Sequence, residues 1–128
     1  MEGLFFMKRI ITFLIFNCSL LIFSQVQAEM NDRAYESYYQ SYKVKDSLVN
    51  EILMINKNDS TFINNFEASE KLWNAFVDEQ FKIIFPEYES WETRREIYGS
   101  QFDMRYYQFL KLYCDLRIST LFDIKENN

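Results

Sequence analysis

The chain has 128 residues, 48% of them hydrophobic, 26% charged and 19% aromatic, with a net charge of −5. This is one domain's worth of material, and the composition excludes a disordered tail, a collagen-like repeat and a polar linker. Two Gly and one Pro exclude a turn-rich β-sandwich. The absence of His removes the usual general base, the commonest metal ligand and every Ser-His or Cys-His nucleophile arrangement.

The first segment reads as an export signal. Met7-Lys8-Arg9 is a basic start, with Met1 and Met7 both open as the true beginning. Ile10 to Phe23 is a predominantly apolar run, and Val26-Gln27-Ala28 offers the small residues that signal peptidase reads. The run is shorter than the roughly 20 residues a membrane span needs. Residues 1–28 are therefore read as a signal peptide and residues 29–128 as the mature domain. The mature chain is expected to be periplasmic or secreted, with no stable membrane span. Of 14 basic residues cleavage removes Lys8 and Arg9, and of 19 acidic residues Glu2; 12 against 18 remain, a net charge of −6. Such a field disfavours nucleic acid and anionic lipid. It favours a basic protein partner, although it is also an ordinary solubility charge. Cys114 is the one cysteine left, so no internal disulfide is expected and packing alone must hold the domain.

Three helices are predicted in the mature chain. The first runs from Arg33 to Asn56, with Tyr35, Tyr39, Tyr42, Val49 and Leu53 on one face. Lys57 to Ser60 breaks it, and Asp59 or Ser60 can cap the next helix. The second runs from Ser60 to Phe85, with Phe62, Phe66, Leu72, Trp73, Phe76, Ile83 and Ile84 sharing a face, and stops at Pro86. A helix of that length spans about 39 Å. Glu87 to Phe102 is looser, with an extra short helix over Trp91 to Tyr98 and Gly99 as a positive-φ stop. The third runs from Asp103, a candidate cap, to Ile124, with Tyr107, Leu110, Cys114, Leu121 and Ile124 as its stripe. The expected architecture is all-α, an elongated three-helix bundle.

Two charges fall on apolar faces. Asp46 lies between Tyr42 and Val49, and Arg117 between Cys114 and Leu121. A buried charge is costly unless paired, so Asp46 and Arg117 are expected to pair with each other, or with Glu79, and to fix helix register. The functional alternative is a catalytic carboxylate tuned by Arg117. Asp78 and Glu79 could be imagined as a glycosidase acid and base, but adjacent helical residues point about 100° apart. No cofactor or metal site is readable: one mature glycine cannot build a phosphate loop, and the carboxylates lack an EF-hand pattern.

Helix one carries Asp46, Val49-Asn50 and Leu53, and helix two the run Ser69-Glu70-Lys71-Leu72-Trp73-Asn74-Ala75-Phe76-Val77-Asp78. Gly99-Ser100 then precedes a helix with Met104, Tyr106-Tyr107, Leu110, Arg117 and Leu121. In order and spacing these resemble the lysozyme inhibitor LprI-like N-terminal domain family, small exported all-helical bacterial domains. The resemblance covers Tyr42 to Leu121 and implies that Trp73, Phe76, Asp78, Gly99, Leu110 and Leu121 are core and register positions. Departures are Val77, where the family usually has Arg, and Phe81 and Arg105, where it has the two cysteines of a staple between helices two and three. Aromatic packing must then replace the staple.

The resemblance implies inhibition of lysozyme. The expectation is a small exported binding protein, not an enzyme, that takes a protein partner, a basic lysozyme among the candidates. The stretch Glu87, Tyr88, Glu89, Trp91 and Glu92 is a candidate contact, because loops on a rigid scaffold carry function. The alternative reading is an envelope structural or assembly protein that binds a partner through a helical face. Oligomeric state is open in both.

Overall fold

A computed structural model describes residues 2–127, with the side chains of residues 2–6 and 8–10 left out. Met1 and the side chains of Lys8 and Arg9 in the basic start thus lie outside the described residues. Among the described residues the chain is all-helical: α1 (Glu2–Ile55), α2 (Ser60–Ile84), α3 (Arg94–Tyr98) and α4 (Phe102–Glu126). The short α3 falls inside the stretch where an extra helix is expected.

α1 is much longer than predicted, 54 residues without a break. The apolar run and the first domain helix share one rod because no Gly or Pro after Gly3 interrupts them. α2 begins where the polar break ends. The Asp59 carboxylate accepts a hydrogen bond from the Phe62 amide at 2.9 Å, satisfying a donor left open by the first helical turn. Pro86 follows its end. Gly99, at φ 80°, closes α3, its amide donating to the Arg95 carbonyl at 2.9 Å. α4 starts one residue before the expected cap. Gln101 holds the N-cap position, and Asp103, already inside the first turn, caps nothing with its side chain.

The three long helices share a core of Leu48 and Ile52 from α1, Phe66 from α2 and Leu121 from α4, flanked by Val49, Leu53, Phe62, Ile118 and Ile124. Lys125 on α4 pairs with Glu51 on α1 at 2.6 Å beside this core. A second, aromatic cluster lies at the opposite end of α4. Phe102, fully buried, meets Phe85, Tyr88, Trp91, Tyr98 and Tyr106 at ring-centroid distances of 4.9 to 6.2 Å. Such offset and edge-on pairs add stability beyond the area they bury.

Two helix faces are rotated from the expected ones. On α1 from Gln27 to Leu48 the inward positions are Gln27, Asn31, Ala34, Tyr38, Ser41, Lys45 and Leu48. These recur at steps of four and three, the seam of a helix pair. Tyr35, Tyr39 and Tyr42 sit beside that seam and stay partly in solvent. The seam is polar near Asn31, whose Nδ2 donates to the Ser100 carbonyl at 3.4 Å while Gln27 donates to its side-chain oxygen. Hydrophobic periodicity is blind to a polar seam and selects the neighbouring tyrosines. On α2 the packed line is Phe62, Phe66, Trp73, Val77 and Phe81. Leu72 and Ile83 are 72% and 70% exposed, and Phe76 and Ile84 are also exposed. The apolar arc of α2 is wider than the surface that α4 offers, and the large rings of Trp73 and Phe81 take it.

Candidate functional site

Arg117 is buried on α4, as its place in the stripe requires, but its partner is not Asp46. Its Nε donates to Glu70 Oε1 on α2 at 2.7 Å and its Nη2 to Ser69 Oγ at 3.1 Å, with the guanidinium 5.4 Å from the Trp73 ring centroid. Asp46 is exposed and accepts from Asn50, one turn along its own helix. Glu79, the other expected partner, is exposed and pairs with Lys82. The rotation of α1 explains the correction: Asp46 lies next to Lys45 and turns out of the seam. The run Ser69-Glu70 was visible in the sequence, but its side-chain acceptors are on a face that periodicity alone had not assigned.

The segment from Glu87 to Phe102 is the other candidate. Its rings pack against those at the start of α4. Tyr88 stacks on Phe102 with an interplanar angle of 10°, and Trp91 meets Phe102, Tyr106 and Tyr107. The Tyr98 hydroxyl accepts a hydrogen bond from the Glu87 amide at 2.6 Å, within the same segment. Tyr88 is therefore half-buried packing, whereas Trp91 packs on one side and stays 37% exposed. Glu87, Glu89 and Glu92 remain exposed and form an acidic rim.

What holds this rim is a clamp that the sequence reading missed. The buried Asp103 carboxylate accepts from Arg94 Nε and Arg95 Nη2, each at 2.6 Å. The Arg94 guanidinium in turn lies over the Trp91 ring, 3.7 Å from its centroid, and donates to the Trp91 carbonyl. Burial pushes the Asp103 carboxyl up, but hydrogen bonds from Arg94 and Arg95 and their charges outweigh it and leave it below the usual carboxylate range. Beside the clamp a cavity of about 320 Å³ is lined by Asn31, Asp32 and Tyr35 of α1 together with Trp91, Arg95, Asp103 and Tyr107. The adjacent Arg94-Arg95 pair was the available signal, being two cations in a stretch otherwise rich in Glu.

The positions implied as family-motif core divide. Leu121 is fully buried, while Trp73 and Leu110 are half-buried. Phe76 and Asp78 are exposed and are not core, and Gly99 serves the backbone turn. At Phe81 and Arg105, ring contacts join the end of α2 to α4. Phe81 meets Tyr106 and Phe109 of α4 at 5.6 and 5.8 Å, and the Arg105 guanidinium lies 5.3 Å from the Phe85 ring centroid. Cys114 is buried, and burial raises its thiol above the ordinary value. Asp78 and Glu79 are both exposed on α2, Glu79 engaged with Lys82. Among the described residues no group of three or more His, Cys, Asp or Glu is placed to hold a metal ion.

Comparison with known proteins brings no match, whether to a family model, a curated protein or a solved structure.

Proposed function

We propose that the chain is exported through its N-terminal helix and that residues 29–128 are a three-helix bundle acting as a binding protein in the periplasm or outside the cell. The observation that carries this reading is the change of environment at Gln27. Every described side chain from Ile11 to Val26 is exposed, including Phe13, Leu21 and Phe23, whereas Gln27 is buried against the domain. Among the described residues one helix, near the N-terminus, is long and apolar enough to cross a membrane. An apolar rod with no protein around it suits lipid or a translocation channel. Cleavage after Ala28 would leave Glu29 and Asp32 in the first turn of the new helix, where negative charge is favourable.

The target class rests on the resemblance to the LprI-like family together with charge. Lysozymes are commonly basic, and the acidic rim of Glu87, Glu89 and Glu92 on a domain of net charge −6 would steer such a partner. The test is a turbidity assay with the processed protein and a panel of lysozymes. Lysis should slow, and the effect should weaken as salt rises. Unchanged lysis across the panel removes lysozyme as the target. N-terminal sequencing tests export separately, with Glu29 the expected first residue.

A second reading is favoured by the unbroken α1 and by the exposed Leu72 and Ile83 of α2. In it the helix is retained as an anchor and the domain assembles with another envelope protein. An uncleaved chain in the membrane fraction and a co-purifying partner, with lysozyme untouched, would select it.

A further inference from the structure

The α1 seam places a lysine where a core residue belongs. Lys45 occupies the inward position between Ser41 and Leu48 and is half-buried. It makes no ion pair among the described residues; its ammonium rests 5.6 Å from the Tyr42 ring centroid. A half-buried, unpaired cation at a seam position is costly, and its neighbour Asp46, which could have neutralised it, points away into solvent.

The space beside Lys45 is not filled by protein. A cavity of about 250 Å³ opens there between α1 and α2, with α4 beneath it. Tyr38 and Tyr42 line it from α1, Trp73 and Val77 from α2, and Cys114 from α4. The volume is just under the roughly 300 Å³ at which drug-sized pockets begin, enough for one or two fused rings. Aromatic walls suit a flat apolar body. The one unpaired charge on the wall selects an anion and repels a cation.

We propose that this cavity binds a small aromatic carboxylate, its charge on Lys45 and its ring among Tyr38, Tyr42 and Trp73. Asn74 also lines the cavity and brings an amide donor to the same wall. Burial, and the Cys114 thiol and tyrosine hydroxyls nearby, push the Tyr38 hydroxyl up to about 12, so it stays a neutral donor at physiological pH. This inference does not depend on export or on lysozyme.

The test uses the protein as cells deliver it, carrying Cys18→Ser so that Cys114 is the single thiol whether or not the leader is removed. Binding of 1-naphthoate is followed by equilibrium dialysis, and the site is located by the rate at which iodoacetamide modifies Cys114. Naphthoate should bind saturably and slow modification at least about fivefold. The neutral alcohol 1-naphthalenemethanol should bind about tenfold more weakly, and 1-naphthylmethylamine should not compete. Lys45→Gln should cost about tenfold in naphthoate affinity while helix content and melting temperature hold. Asn74→Trp, an exposed position that can fill the mouth, should abolish binding. No binding at millimolar naphthoate, equal binding of acid, alcohol and amine, or unchanged affinity in Lys45→Gln would each overturn the proposal.

Discussion

Arg117 on α4 and Glu70 on α2 form a buried pair, with Nε to Oε1 at 2.7 Å and side-chain exposures of 6% and 19%. Ser69 and Thr120 take further guanidinium protons. A pair of this kind adds little net stability but is expensive to break, because the remaining charge is stranded. Glu70→Ala should therefore cost about 3–5 kcal/mol, whereas Asp46→Ala should stay within about 0.5 kcal/mol. Urea unfolding of the singles and doubles checks this. A coupling of about 1–3 kcal/mol is expected between Glu70 and Arg117, and none between Asp46 and Arg117.

The Asp103 clamp makes stability depend on pH. The carboxyl is held below its ordinary value by Arg94 and Arg95, so the unfolded chain takes up a proton first as pH falls. The clamp's contribution is complete above the unfolded value, about 3.9, and is lost as pH drops through the folded value. Asp103→Asn should cost about 3 kcal/mol at neutral pH, since it leaves the nearly buried Arg94 without its counter-charge. Its acid melting profile should also be flatter than that of the unmodified chain. Melting temperatures from pH 7 down to pH 2 give both readings.

The rotation of α2 can be measured by truncation. Phe66→Ala, on the packed line of α2, should cost about 3–5 kcal/mol because it opens a cavity in the shared core. Leu72→Ala and Ile83→Ala, on the exposed arc, should each lie within about 0.5 kcal/mol of the unmodified chain. Chemical denaturation of these three variants decides which line of α2 faces inward.

Gly99 has φ 80° and ψ −178°, a conformation essentially confined to glycine. An added Cβ would meet nothing within 4 Å, so the cost of Gly99→Ala is conformational and not steric crowding by neighbours. A loss of about 1–3 kcal/mol is expected. Gly99→Asn should be no better than Gly99→Ala, because asparagine tolerates the left-handed helical region and not this extended one. Comparing the two variants by thermal melting tests the assignment.

Element boundaries on the domain side were legible because they rest on local chemistry. Asp59 caps, Pro86 cannot continue a helix and Gly99 takes the turn, whatever surrounds them. Helix faces were less legible. On α1 the seam carries Asn31, Ser41 and Lys45, and a hydrophobic count moves past them to Tyr35, Tyr39 and Tyr42. On α2 two apolar stripes lie side by side, and periodicity cannot rank them. The site followed the same pattern. The isolated charge Arg117 announced a partner, but naming Glu70 required knowing which arc of α2 turns toward α4. Asp103 read as a cap because its clamp with Arg94 and Arg95 closes through a turn.

The amino-acid order alone determined an all-helical chain, its breaks, its apolar leader-like start and a lone thiol in the domain, since each follows from properties of neighbouring residues. Tertiary structure decided which sides of α1 and α2 meet α4, and with them the partners of Arg117 and Asp103 and the open space beside Lys45. The physical reason is that a helix fixes spacing along its own axis, while the choice among adjacent faces is settled by how large rings and charged groups fit the helix packed against it.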